Sequence, residues 1–114
     1  VNTPVEATEY LKKHPGGRLY NEMGYGSYLI WADSEQGVFI DPRIELFSYN
    51  LWMDYIHINN GTNYEEILSK YGVDRILLDK NIQPDLAGAL STDSFWKLEY
   101  DDQNSQIWNR KSIP

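Results

Sequence analysis

Cysteine is absent from the chain. That excludes a disulfide framework and any thiolate chemistry, and leaves the compartment open, because a domain of 114 residues folds without covalent staples. Histidine is almost absent: His14 and His57 are the only two. Both fall in segments patterned as helices, and neither has the neighbours of a zinc ligand or a serine-triad base. Long hydrophobic runs are missing too. The longest is Tyr28 to Ala32, the mean hydropathy is -0.57, and a helical span needs roughly 20 apolar residues. Basic residues are in deficit, with 10 Lys and Arg against 17 Asp and Glu for a net charge of -7. Nucleic acid demands a basic surface and an anionic membrane attracts one, so both are disfavoured as partners. The first residue is valine, and no basic, apolar leader follows it. A processed chain or a piece of a longer one is therefore expected.

An apolar content of 41% suits one core, and residues 1–114 are read as a single domain. Aromatic residues are plentiful, with nine Tyr and four Trp, as befits a core and its rim. Thr3-Pro4-Val5-Glu6 predicts a helix start with Thr3 as cap and Glu6 closing a capping box. Ala7, Tyr10, Leu11 and His14 follow on one face, and Pro15-Gly16-Gly17 ends the helix. Arg18 to Asn21 predicts a short strand, Gly24 to Gly26 a turn, Ser27 to Ala32 a short helix and Val38 to Asp41 a buried strand. Ile44 to Ile58 carries helical spacing. Thr62 to Tyr71 predicts a further helix, with a Thr62–Glu65 capping box and Gly72 as its left-handed end. This use of Thr62 leaves little weight for the glycosylation sequon Asn60-Gly61-Thr62. Val73 to Leu78 reads as a strand covered on both faces, Gln83 to Leu90 as a helix opening near Pro84, and Trp96 to Tyr100 with Gln106 to Arg110 as a hairpin. The alternation predicts an α/β fold with three layers. Its sheet would be mostly parallel and Rossmann-like, with about five strands, helices on both faces and a C-terminal antiparallel hairpin.

Polar residues gather where the predicted strands end, the side on which open α/β sheets tend to bind ligands. Gly24-x-Gly26-x-x-Leu29 imitates a dinucleotide fingerprint, with Asp41 as the ribose acid. It departs from one at Leu29, where close helix–strand packing needs a small residue. A small nucleotide- or metal-binding enzyme on a Rossmann-like sheet is therefore the alternative reading. Glu22, Asp41 and Asp79 could hold a hard cation or act as acid and base. An acid at a strand end also caps the next helix or pairs with a base, and Arg43 is the obvious partner for Asp41. Ser27 lacks a nucleophile elbow. Tyr25, in the glycine turn, is expected to be exposed, where it could stack on a sugar or a partner. The candidate ligand-binding residues are Asn21, Glu22, Tyr25, Asp41 and Arg43, with no catalytic residue, metal ligand or cofactor.

Several segments together carry a family resemblance. They are Glu6-Ala7 through Tyr10-Leu11, Pro15 to Glu22, Gly24 to Trp31, Val38 to Arg43, Tyr71-Gly72-Val73-Asp74, and Trp96 to Trp108. The chain resembles the C-terminal soluble domain of bacterial multi-pass membrane proteins of the glycosyltransferase and oligosaccharyltransferase-like type. In that family the second strand commonly ends in Asp-Gly-Arg. Asp41 and Arg43 match, while Pro42 replaces the glycine, which argues against any role needing a backbone N–H or positive φ there. The resemblance implies a non-catalytic, extracytoplasmic accessory domain, tethered to a bacterial membrane through an N-terminal transmembrane region that carries any transferase chemistry. Its partners would be that membrane region and a lipid-linked sugar or acceptor. A pure protein-interaction module is a further alternative.

Overall fold

The computed structural model describes residues 4–14, 18–22, 25 and 49–111. The helices are α1 (Val5–Lys13), α2 (Tyr49–Asn59), α3 (Tyr64–Lys70) and α4 (Pro84–Ser91), and the strands are β1 (Leu19–Asn21), β2 (Arg75–Asp79), β3 (Trp96–Asp101) and β4 (Ser105–Arg110). The strands form one four-stranded mixed sheet in the order β1-β2-β4-β3. The described strands do not form the expected mostly parallel Rossmann-like sheet of five strands. Only β1 and β2 pair in parallel, while β2–β4 and β3–β4 are antiparallel. The C-terminal antiparallel hairpin is formed as expected and occupies one side of the sheet. It lays β4 directly against the central β2, so one parallel crossover is all that the described strands contain. The predicted helix at 27–32 and strand at 38–41 lie outside the described residues, as do Asp41, Arg43 and the Thr3 cap.

β2 organises the packing, because all five of its residues are buried. Successive side chains alternate between the two faces. Leu77 faces α1 and packs with Ala7, Leu11, Leu19, Tyr25 and Ile107. Ile76 and Leu78 face α2, α3 and α4, in a larger cluster that includes Tyr20, Ile58, Leu68, Leu86 and Trp108. β3 is an edge among the described strands. It carries Lys97 and Glu99 and shifts register between Leu98 and Tyr100, two devices that discourage pairing with another chain. Among the described residues no helix is long and apolar enough to cross a membrane.

The expected capping box of α3 does not form. Asn63, at φ 52°, enters the helix from the left-handed region without a side-chain cap. The Glu65 carboxylate instead accepts from Trp96 Nε1 at 3.0 Å and pairs with Arg110 Nη1, tying α3 to both strands of the hairpin. At the other end of α3 the expectation holds: Gly72 has φ 69°. A Cβ there would meet nothing within 4 Å, so Gly72→Ala is expected to cost only the backbone strain, about 1 kcal/mol. Urea unfolding at unchanged m-value would show it.

Candidate functional site

Of the candidate residues, Asn21, Glu22 and Tyr25 meet Asp79 at the carboxyl end of the parallel β1–β2 pair. Asn21 ends β1 beside Leu77, and the Glu22 N–H continues the pairing to the Leu77 carbonyl at 3.3 Å. Asp79 ends β2 opposite Ser105, the first residue of β4. Asn21, Glu22, Tyr25, Asp79 and Ser105 are all buried.

Burial requires partners for these polar groups. The Asn21 amide donates to the Glu22 carbonyl at 2.8 Å, and Glu22 Oε1 accepts from the Tyr25 N–H at 3.1 Å. Asp79 Oδ1 accepts from the N–H groups of Asn81 at 2.8 Å and Ile82 at 3.3 Å, closing the turn into α4. Gln83 locks that turn from the other side. Its Oε1 accepts from the Asp79 N–H at 3.0 Å and its Nε2 donates to Asn59 Oδ1 at 2.6 Å. The Tyr20 hydroxyl reaches the same Asn59 oxygen at 2.5 Å. The knot thus joins β1, β2, α2 and the start of α4.

The structure corrects the expected exposure of Tyr25. The residue is fully buried, with its ring in the core beneath α1 and its hydroxyl 2.8 Å from Ser105 Oγ. Burial pushes the phenol up from its ordinary value, the Ser105 hydrogen bond opposes that rise, and the nearby Asp79 and Glu22 carboxylates add to it. Tyr25 therefore offers no free ring face to a sugar. No group of three or more His, Asp or Glu that could hold a metal occurs among the described residues. Asp41 and Arg43 lie outside the described residues. The knot's other members, Gln83, Asn59 and Ser105, were not anticipated. Nothing in the local sequence marks them, because each acts on a group brought to it by the fold.

A shallow cleft of about 250 Å³ opens at the same end, lined by Pro4, Val5 and Glu6 of the α1 entry and by Asp102 to Ser105 of the β3–β4 turn. Drug-sized ligands occupy about 300–1,000 Å³, so this groove is small. One of its two acids is also occupied: Asp102 accepts from the N–H groups of Asn104 and Ser105 and from the Tyr100 hydroxyl. Comparison with protein-family models, with curated proteins and with solved structures found no match in any of the three.

Proposed function

We propose that this chain is a non-catalytic accessory domain on the extracytoplasmic side of a bacterial membrane. It would belong to a membrane-bound glycosyltransferase-like protein, where it shapes a lipid-linked sugar or acceptor site or docks a partner. The resemblance of the segments between Glu6 and Trp108 supports the family side of this reading. The non-catalytic side rests on one observation: the Glu22 and Asp79 carboxylates are buried and accept from backbone N–H groups of the turns that follow them. Groups so placed hold a strand end in shape. A nucleotide- or metal-binding enzyme on a Rossmann-like sheet is not carried forward, since the described strands do not form the sheet it requires.

Glu22→Gln and Asp79→Asn are each expected to lower stability by about 1.5–3 kcal/mol, the range for hydrogen bonds to a charged group. Neither should alter binding of sugar phosphates to the chain, followed by chemical-shift titration. Turnover of a sugar phosphate by the chain, abolished by Asp79→Asn at unchanged stability, would refute the reading.

A further inference from the structure

The described cations that no carboxylate pairs lie toward one end of the strand direction, where Asp74 and Asp93 also sit. Glu22, Asp79, Asp101 and Asp102 sit at the carboxyl end of β2. Four basic side chains are neutralised by carboxylates: Lys12 by Glu9, Lys70 by Asp54, Lys80 by Asp101 and Arg110 by Glu65. Among the described residues the basic side chains without such a pair are Lys13, Arg18, Arg75, Lys97 and Lys111, and they gather at the opposite end. Arg18 precedes β1, and its carbonyl accepts from the Asp74 and Arg75 N–H groups. Lys97 lies at the start of β3, paired with Asn109, and the Lys111 N–H reaches the Phe95 carbonyl. Lys13 closes α1, whose first turn lines the cleft at the acidic end.

Arg75 is the centre of this end. The register places Leu19, Arg75, Asn109 and Lys97 in one row across β1, β2, β4 and β3. Arg75 and Lys97 therefore share a face, about 10 Å apart by the inter-strand spacing. Arg75 is only 6% exposed. Its Nε donates to Asn109 Oδ1 at 3.0 Å, while Nη1 is buried and meets no acceptor. The adjacent carboxylate, Asp74, is exposed and accepts from the Arg18 N–H at 2.6 Å. A buried cation without a counter-charge is costly, and Asn109 fixes the guanidinium plane while leaving its Nη groups unused.

We propose that the amino end of this sheet binds an oxyanion, a phosphate or a carboxylate. The Nη groups of Arg75 would bind it, and Lys97, Arg18 and Lys111 would supply the surrounding positive field. A guanidinium fork matches the geometry of either group. The site lies opposite the strand-end knot and is independent of the accessory-domain reading. It would stand if that reading failed, because it requires neither a membrane parent nor a sugar.

The test is a chemical-shift titration of the 114-residue chain with inorganic phosphate and, separately, with acetate, at ionic strength held constant with sodium chloride. Saturable shifts are expected at the Arg75 Nε–H and at the Asn109 and Lys97 amides. The tighter of the two anions identifies the ligand class. Arg75→Lys should weaken binding about tenfold, the loss of one charge-assisted hydrogen bond. Lys97→Gln, on an exposed side chain, should weaken it about threefold. Lys80→Gln, which removes a cation already paired at the other end, should change nothing. If Arg75→Lys fails to fold, Lys97→Gln and the location of the shifts decide. Absence of saturable shifts, shifts centred elsewhere, or equal weakening by Lys80→Gln and Lys97→Gln would overturn the proposal.

Discussion

A Leu77→Ala variant is expected to lose about 3–4 kcal/mol of stability, within the range for deleting a buried leucine side chain where the surroundings cannot collapse into the cavity. Leu77 has no exposed surface and occupies the middle of β2, one of the two inner strands of the described sheet. Its cluster draws on Ala7 and Leu11 from α1, Leu19 from β1, Ile107 from β4, and Tyr25, with Tyr100 of β3 packed against it. None can move into the space without lifting α1 or bending the sheet. A domain of this size has a total stability of about 5–15 kcal/mol, so the loss would be a large part of it. Leu98→Ala is the control. Leu98 lies on the edge strand and is 38% exposed, so its truncation should cost under about 1 kcal/mol. Equal losses for the two variants in urea unfolding would show that β2 is not the packing centre.

The same strand shows what could be read from the sequence and what could not. Val73 to Leu78 announced a strand covered on both faces, and it is one. An apolar run does not say whether its neighbours run parallel or antiparallel, because burial on both faces imposes the same residues in either case. That is why β4, within the correctly expected hairpin at Trp96 to Arg110, could not be foreseen as the antiparallel neighbour of β2 itself. Local punctuation was more legible. Gly72 takes its left-handed turn, and Pro84 opens α4, because φ preference acts within one or two residues. Glu65 shows the limit of local reading. Its spacing from Thr62 fits a capping box, but Arg110 and the Trp96 indole, distant in sequence, compete for the same carboxylate and win.

Site residues followed the same division. The acids at strand ends were visible. Their lack of freedom was not, because it depends on turns that fold back to meet them. Tyr25 looked exposed because it sits between glycines, yet its ring completes a core that only the fold assembles. The basic end could not be seen at all. Lys13, Arg18, Arg75, Lys97 and Lys111 are scattered through an acidic sequence, and only strand pairing and the packing of α1 on the sheet bring them together. A net charge of -7 argues against a polyanion such as nucleic acid and leaves a single oxyanion admissible at one end.

Alkaline pH is expected to unfold this protein steeply. Tyr20 and Tyr25 are both without exposed surface. Burial, then the charges of Tyr55 and Glu22, push the Tyr20 phenol well above its ordinary value. Burial and the Asp79 and Glu22 carboxylates do the same for Tyr25 against the Ser105 hydrogen bond. Tyr64, Tyr71 and Tyr100, each half-buried, are raised by burial first and then by hydrogen bonds to Asp93, Asp54 and Asp102. An unfolded tyrosine loses its proton near a pH of about 10. The folded phenols hold theirs longer, so the folded state binds more protons above that pH. Their contribution is complete below about pH 10 and is lost as pH rises toward the folded values, at about 1.4 kcal/mol per pH unit for each fully shielded group. Tyr20 and Tyr25 together give about 3 kcal/mol per unit, with smaller additions from the half-buried three. The part of the phenolate absorbance that comes from Tyr20 and Tyr25 should therefore change together with far-ultraviolet circular dichroism, since these two shielded phenols ionise only as the chain unfolds. Tyr25→Phe should make the decline shallower by about 1.4 kcal/mol per unit, because a ring that cannot ionise removes one proton from the linkage. Phenolate absorbance from Tyr20 and Tyr25 that developed fully while the helical signal stayed intact would mean that solvent reaches both hydroxyls in the folded protein.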